Sequence, residues 1–354
     1  MTMIFKNLKV VELATVLAGP SAGMFFAELG AQVIKVEHPE HPDVTRSWKI
    51  ASEDNETPVS AYFSSINYKK EYIQLDLNKE NDRSQLIGLL KNADILLTNF
   101  KKGDAEKFNL TDDLLFKMNP RLIHGKISGF GTGSDRVAYD LILQAETGFM
   151  SMNGTEDSGP VKMPVALIDV LAAHQLKEGM LCALLERHQT GKGKAVEVSL
   201  YDAAVCSLVN QASVFLMEQK VPQRIGSKHP NIAPYGELFT TKDAGIITFA
   251  IGSDQQFRKL LSYLELDEIA KDERFSSNQN RVKNRVILAS FLEKEIKNLN
   301  SSEILNWALE QHVPCGKVKL LDEVFSEPQA KRLVREENIS GKATKRVTSI
   351  AFNL

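Results

Sequence analysis

Asp169 is the residue whose surroundings in this sequence least account for it. It lies in "PVALIDVLAAHQLKEGM", between Val165-Ala166-Leu167-Ile168 and Val170-Leu171-Ala172-Ala173. On a helix, its neighbours three and four positions away are Val165, Ala166, Ala172 and Ala173. None of them can pair with a charge, and the two alanines leave space beside the carboxyl group. Three structural roles fit the pattern: a cap taking N–H bonds from Leu171 or Ala172, a buried acid bonded to backbone elsewhere, or an acid on the solvated face of a helix that starts earlier. A chemical role fits as well. A helix N-terminus keeps a carboxylate ionised, and an ionised, partly desolvated carboxylate can attack an activated acyl group. The pattern permits all four.

Other stretches carry weaker signals. "TVLAGPSAG" follows a strand-like run, and Glu37 stands where the ribose-binding acid of a dinucleotide fold would lie. Gly19 and Gly23 do not make the G-x-G-x-x-G spacing, however, and Pro20 opens the helix, which argues against an NAD-dependent oxidoreductase. A turn aiming backbone N–H groups at an anion remains open beside a plain strand-to-helix connection. "SGFGTGSDR", Ser128 to Arg136, lacks the Lys-Ser/Thr ending of a P-loop and reads as a loop over a ligand or as a surface turn. There is no G-x-S-x-G elbow. The seven histidines do not fall at metal-ligand spacing, and His38 and His41 sit in a polar loop. Lys101 and Lys102 follow the strand-like "DILLTNF", where ligands dock in parallel sheets. "TGKGK" reads as a solvated turn.

The elements that would position these residues alternate. "LKVVELA", "QVIKVEHPEHPD", "EYIQLDL", "DILLTNF", "RLIHGKISGF" and "AVEVSL" read as strands. "SAGMFFAELGA", "ENDRSQLIGLLKNA", "GDAEKFNLTDDLLFKMN", the segment from Asp169 to about His188, and "YDAAVCSLVNQASVFLMEQ" read as helices. The expected fold class is α/β, a parallel sheet covered on both faces. "KVPQRIGSKHPNIAPYG" reads as a linker. "ELFTT", "GIITFAIG" and several helices then make a shorter unit, and strands and turns in "GKATKRVTSIAFNL" close the chain. The length of 354 residues suggests two domains. A net charge of -2 argues against a phosphate-driven nucleic-acid binder. Cys182, Cys206 and Cys315 form no disulfide or zinc pattern, so a cytoplasmic setting is expected. No secretory signal and no bilayer-length apolar run is visible.

Over nearly its whole length the chain resembles the family III (CaiB/BaiF type) CoA-transferases. The matching stretches are "LKVVELATVLAGPSAGMFFAELGAQVIKVEHP", "DILLTNFKKGDAEKF", "NPRLIHGKISGFGTG", "AYDLILQAETGFM", the Asp169 segment, "TGKGKAVEVSLYDAAV", "PNIAPYGELFTTKDAGIITFAIGSDQQFRKL" and "VPCGKV". Their order and spacing together are specific. The resemblance implies that Asp169 is the nucleophile, passing through a mixed anhydride and an aspartyl-CoA thioester. It implies no metal and no resident cofactor, with a CoA thioester as co-substrate. For CoA it points to Leu17 and Ala18, His38, Leu75 to Asn78, Asn99, Phe100, Lys101, Lys107, Arg136, Tyr139 and Asp140. The family often uses a glycine-rich loop of its smaller domain for oxyanions. Here that region offers Gly226 and Gly236, which leaves the donors unassigned.

The resemblance further implies a Rossmann-like large domain over residues 1–200, completed by 326–354. A helix and linker at 201–224 and a small domain at 225–325 complete the division. It implies an interlocked, ring-shaped homodimer acting on acyl-CoA and carboxylic acid substrates, with no nucleic acid and no membrane. The same fold carries α-methylacyl-CoA racemases, which use a histidine in a "GHDxNY" stretch. Here "VAYDLILQA" puts Tyr139 at that position, and a phenol is a poor base at neutral pH. Asp254, near an acid that racemases also carry, does not replace that histidine. A non-catalytic CoA-binding protein is the remaining alternative, and the retained Asp169 segment argues against it.

Overall fold

A computed structural model of the chain describes residues 3–353; Met1, Thr2 and Leu354, the outermost residues of the expected large domain, lie outside the described residues. The chain divides into two compact units. The first runs through Met150, resumes at Lys162–Pro222 and resumes again from Gln329; the second comprises Ser151–Val161 and Gln223–Pro328.

The first unit begins with β1 (Lys9–Glu12), α1 (Ala18–Glu28), β2 (Gln32–Glu37), α2 (Ala61–Ser65), β3 (Lys70–Gln74) and α3 (Glu80–Leu90). It continues with β4 (Ile95–Thr98), α4 (Asp104–Lys107), α5 (Asp112–Met118), β5 (Ile123–Ser128) and α6 (Asp140–Glu146), and the short α7 (Phe149–Met152) runs across its boundary with the second unit. After the excursion come α8 (Leu167–Thr190), β6 (Ala195–Ser199), α9 (Leu200–Cys206) and α10 (Val209–Glu218). The six strands pair in parallel in the order β3-β2-β1-β4-β5-β6. Strand order reverses between β1 and β4, which opens a crevice outside their carboxyl ends.

One face carries a core of Val10, Phe26, Ile95, Ile123, Ile168, Ala172, Leu176 and Met180 beneath α1 and α8. The other carries Val11, Val36, Leu86, Leu90, Leu96 and Leu115 beneath α3 and α5. Helix α8 sits close on the sheet because Gly125, paired with Leu97 across β4 and β5, has no side chain: a Cβ there would meet Leu97 Cδ2 and Met180 Sδ at 2.8 Å. α1 closes on β1 in the same way at Gly23, whose added Cβ would fall on the buried Glu12 carboxylate. The glycines of the first turn therefore answer to close packing rather than to a pyrophosphate.

The chain's last hairpin, β10 (Val334–Ile339) and β11 (Lys342–Val347), belongs to this unit. Arg346 reaches Glu28 at the end of α1 at 2.8 Å, and Ser349 N–H donates to the other Glu28 oxygen at 2.8 Å. The second unit holds β7 (Tyr235–Thr240), β8 (Ile246–Ala250), α11 (Asp254–Tyr263), α12 (Asp267–Ala270), α13 (Asn278–Lys283), α14 (Arg285–Ile296), α15 (Ser301–Glu310) and β9 (Cys315–Lys317). Its antiparallel β7-β8-β9 sheet packs with these helices around Phe249, Leu260, Leu261, Leu292 and Ile304.

Several sequence expectations are corrected here. "GDAEKFNLTDDLLFKMN" is two helices, because Asn109 turns left-handed (φ 57°) after α4. "YDAAVCSLVNQASVFLMEQ" is also two, α9 and α10, bent by 71° at Ser207 and Leu208. In the two compact units, α10 groups with the first and 151–161 with the second. No single described helix is long and apolar enough to cross a membrane.

Gly23→Ala should lower stability by about 1–3 kcal/mol through overpacking on Glu12. That is opposite in sign to the roughly 1 kcal/mol that alanine adds in an ordinary helix interior. Urea unfolding checks it: a midpoint unchanged or raised would refute the close packing of α1 on β1.

Candidate active site at the carboxyl edge of the sheet

α1 follows β1, and α8 leads into β6, so the N-termini of both helices stand at the carboxyl edge of the sheet. Asp169 is the third residue of α8, 8% exposed. Its carboxylate has no hydrogen-bond or ion-pair partner among the described residues. The capping role that the pattern allowed it belongs to another residue. Helix α8 starts two positions earlier than its apolar periodicity suggested, after Ala166, and its own cap residue offers no side-chain bond. Asp140, at the start of α6, supplies the cap from outside the helix: its Oδ1 accepts the Ile168 N–H at 2.8 Å. Its Oδ2 accepts from Gln144 Nε2 at 2.7 Å, and Gln144 Oε1 in turn accepts the Met163 N–H at 2.8 Å. The segment entering α8 is thus tied to α6 at Met163 and at Ile168, both ahead of Asp169.

This arrangement sets the electrostatics. Burial, with no counter-charge in contact, and then the negative charge of Asp140 push the Asp169 pKa up from 3.8 to about 7. Burial and then the charges of Asp169, Asp140 and Asp43 push the Tyr62 phenol up to about 12, so it stays protonated beside them. A carboxylate with a pKa near neutrality is more basic than an ordinary one and is ionised in about half the molecules at pH 7.

Residues 13–16, between β1 and α1, are held one by one. The Leu13 N–H donates to Leu97 O at 2.8 Å, and Lys35 Nζ donates to Ala14 O at 2.7 Å. Asn99 brackets Thr15, accepting its N–H at 3.1 Å and donating to its carbonyl at 3.0 Å. The Val16 N–H donates to both Asp43 oxygens at 3.3 and 3.2 Å. Val16 has φ 70°, a left-handed conformation that costs a β-branched residue about 1–3 kcal/mol. Leu17 then caps α1 without a side-chain bond, and the N–H groups of Leu17, Ala18 and Gly19 have no partner in the described chain.

Beneath this turn lies a group of fully enclosed charges. Lys35 Nζ meets Glu12 at 3.1 Å and Asp43 at 3.0 Å, while Lys70 Nζ meets Glu12 at 2.8 Å and Asn67 Oδ1 at 2.9 Å. Burial alone would neutralise them. For Lys35 the opposing pull of Glu12, Asp43 and Glu37 outweighs burial and raises its pKa; for Asp43, Lys35 and Thr45 outweigh burial and lower it. Lys70, flanked by Lys35 as well as Glu12, is left at about 8, with burial the largest cause.

Two cavities open at this edge. One, of about 410 Å³, is walled by Thr15, Val16, Asn99, Lys101, Arg136 and Tyr139 among others. Another, of about 480 Å³, is walled by His38, Leu75, Asn78, Asn99, Phe100 and Lys101 among others. Of the sequence-derived site residues, eight therefore wall these cavities: His38, Leu75, Asn78, Asn99, Phe100, Lys101, Arg136 and Tyr139; Leu17 and Ala18 follow the cavity-wall residue Val16 in the turn but wall neither cavity. Several are already engaged. His38 Nε2 lies 3.3 Å from Asp76, and Arg136 pairs with Glu146 at 2.6 Å while its guanidinium lies 3.8 Å from the centre of the Phe130 ring. Lys107, at the end of α4, lies over Phe108 and walls neither cavity. Asp140, expected at the ligand, has both oxygens committed inside the protein. Asp169 walls neither cavity; Tyr139, 49% exposed at the cavity rim, precedes the Asp140 that holds the start of α8. In the second unit, Asp254 is bound at 2.7 Å by the buried Arg281. No group of metal-ligating side chains is found among the described residues.

Residues 5–352 match the profile of CoA-transferase family III. The chain belongs to this family. It is 36% identical over 329 residues to a succinate–glutarate CoA-transferase of Agrobacterium fabrum, covering 91% of this chain and 82% of that one. It is 34% identical to an acetyl-CoA:oxalate CoA-transferase of Acetobacter aceti, covering 92% and 83%. The crystal structure of a CaiB/BaiF family protein from Brucella suis superposes with a TM-score of 0.84 at 35% identity, covering 99% of this chain and 93% of that one. The enzyme is accordingly a family III CoA-transferase, acting on CoA thioesters. Sequence reasoning missed Asp43, Lys35, Glu12, Gln144 and Tyr62. The one legible signal was a single charge set inside the apolar strands "VVELA" and "QVIKV".

The raised pKa of Asp169 has a stability consequence. Its folded value, about 7, lies above the unfolded 3.8, so between those pH values the folded state holds a proton that the unfolded state has lost. Stability then falls as pH rises through that window and levels off above it. The stability of Asp169→Asn relative to the parent should therefore increase from about pH 4 to about pH 7, by on the order of 4 kcal/mol at most. Urea titrations at stepped pH check this; a difference that is constant or shrinks with pH would contradict it.

Proposed function

We propose that this CoA-transferase moves CoA from an acyl-CoA to a free carboxylic acid through covalent intermediates on Asp169. An ionised Asp169 oxygen attacks the thioester carbonyl, and the tetrahedral oxyanion collapses with loss of CoA thiolate to leave a mixed anhydride. The thiolate attacks the aspartyl carbonyl of that anhydride and expels the donor acid, giving an aspartyl-CoA thioester. The acceptor carboxylate attacks the same carbonyl, releases the thiolate and forms a second anhydride. Thiolate attack on the acceptor's acyl carbonyl gives the new acyl-CoA and frees Asp169. No net proton is exchanged, and no redox change is involved.

The observation that carries this reading is the buried carboxylate of Asp169, unpaired at the head of α8 and basic enough to be nucleophilic near neutral pH. The cavities at the same edge of the sheet suit a CoA thioester. Lys101 and Arg136 offer cations for phosphate, and Leu75 and Phe100 give apolar surface for a base. From there the thioester arm runs past Tyr139 toward Asp169. No histidine walls the cavity at Tyr139, which favours acyl transfer over α-proton abstraction. The relatives named above are called after succinate and glutarate and after acetyl-CoA and oxalate, and on that ground we assign this enzyme a short dicarboxylic acid as acceptor.

The active form proposed is a homodimer, interlocked as in the resemblance. Its support is α10, an apolar helix with no buried residue, on which Leu216 and Met217 are 70% and 79% exposed. Light scattering on the purified protein should give twice the 39.4 kDa chain mass; a monomer at assay concentration would overturn it.

Hydroxylamine added during turnover with acyl-CoA should leave a hydroxamate at Asp169, located by peptide mass spectrometry. Asp169→Ala should retain CoA binding and lose turnover by about 10³-fold or more. Transfer at near-parental rate in that variant would end the covalent reading. A panel of dicarboxylic and monocarboxylic acids of matched length tests the substrate class, and a preference for the monocarboxylic acids would reject it.

A further inference from the structure

Val16 is a valine in a conformation that favours glycine, and it lies in the wall of the cavity that the CoA thioester is proposed to enter. Backbone strain of this kind persists only where surrounding structure over-determines it. Here the over-determination comes largely through one residue. Asp43 is 1% exposed and accepts the Val16 N–H on both oxygens. It is itself held by Lys35 Nζ at 3.0 Å, by Thr45 Oγ1 at 2.7 Å and by the Thr45 N–H at 3.1 Å. Its own N–H is fixed on Glu37 Oε1 at 3.0 Å. Lys35 ties the same charge group to the Ala14 carbonyl two residues before Val16. The direction in which Val16 leaves this anchor sets the orientation of Leu17, Ala18 and Gly19, whose N–H groups have no partner in the described chain. Those are the donors nearest in sequence to the cavity wall, at the N-terminus of a helix eleven residues long.

We infer that Asp43 is a positioning residue for CoA transfer: from beneath the cavity it holds Val16 left-handed, and so aims the first N–H groups of α1 at the bound thioester. Asp43 is among the residues walling the cavity of about 480 Å³, but its carboxylate bonds all go to backbone and buried side chains, so the role assigned to it is indirect. It rests on the reading that this cavity holds the CoA thioester. Asp43 and Val16 are therefore energetically coupled, because a glycine at position 16 adopts the left-handed conformation without an anchor.

The test is a double-mutant cycle of Asp43→Asn and Val16→Gly, read on kcat and KM for an acyl-CoA with a carboxylate acceptor. Asp43→Asn should lower kcat/KM by about 10–100-fold with valine at 16 and by less than about 5-fold with glycine there, as expected for coupled sites. The melting temperature lost with the Lys35 partner should stay lost in both backgrounds, which separates positioning from folding. An Asp43→Asn penalty equal in the two backgrounds, or absent with valine, would overturn the inference. If Asp43→Asn does not fold, Thr45→Ala, which removes the hydroxyl bond to Asp43, replaces it in the same cycle with smaller effects of the same sign. Amide hydrogen exchange at residues 16–19 reads the cycle without any acyl-CoA. Faster exchange in Asp43→Asn that is not matched in the glycine background supports the anchor, and unchanged exchange refutes it. Failure of the unaltered enzyme to transfer CoA would count against the site reading alone, since the exchange measurement does not depend on it.

Discussion

A carboxylate enclosed without a cation is the constraint around which the first unit is organised. Burying an unpaired charge is costly, and a protein normally answers by pairing the group or by protonating it. Asp169 is left between these outcomes, with a pKa near neutrality. Its position makes that tolerable: three residues into α8, it faces the positive end of a 24-residue helix dipole. A neighbouring carboxylate, Asp140, is spent on capping that helix, which fixes the geometry and at the same time raises the Asp169 pKa. One residue thus shapes both the position and the basicity of another.

The same edge of the sheet also shows charges that are fully paired. Glu12, Lys35, Lys70 and Asp43 are as enclosed as Asp169, yet each meets an opposite charge within about 3 Å. Replacing them with apolar residues would satisfy burial equally well, so stability alone gives no reason for them. What they add is direction. Their free hydrogen-bonding capacity is turned on the Ala14 carbonyl and the Val16 N–H, in the turn that borders the cavity, and on the Pro20 carbonyl in the first turn of α1. In the proposed mechanism the unpaired charge does the chemistry and the paired charges position the turn, at the same edge of the sheet.

Family membership and geometry meet in this crevice. The strand order 3-2-1-4-5-6 places the loops after β1 and β4 on either side of the reversal, and Asn99 joins them through both hydrogen bonds to Thr15. The loops after two neighbouring strands are thereby held to each other through the backbone of Thr15. Loops carrying function on a fixed scaffold are the general solution in open α/β sheets. Here the scaffold reaches closer than usual, because Gly125 and Gly23 remove the side chains that would hold α8 and α1 away.

What the sequence determined by itself was the alternation of strand and helix and the oddity of one aspartate. Apolar periodicity is local, so strands such as "DILLTNF" and the helix through Leu176 and Met180 were legible from spacing alone. Of the surroundings of Asp169, Ala172 and Ala173 were legible from spacing, whereas Val165 and Ala166 precede α8 and the charged and phenolic neighbours, Asp140 and Tyr62, come from elsewhere in the chain. The start of α8 was not, because Asp140, 28 residues upstream, and not a local cap decides it. The breaks at Asn109 and at Val209 were hidden for a related reason: single left-handed residues, φ 57° and 41°, interrupt helices that the apolar pattern would continue. Asp43 looked like one more acid in a polar loop. Only the folded chain brings it under Val16 and beside Lys35, contacts 27 and 8 residues apart in sequence, and pairing over such separations leaves no periodic trace.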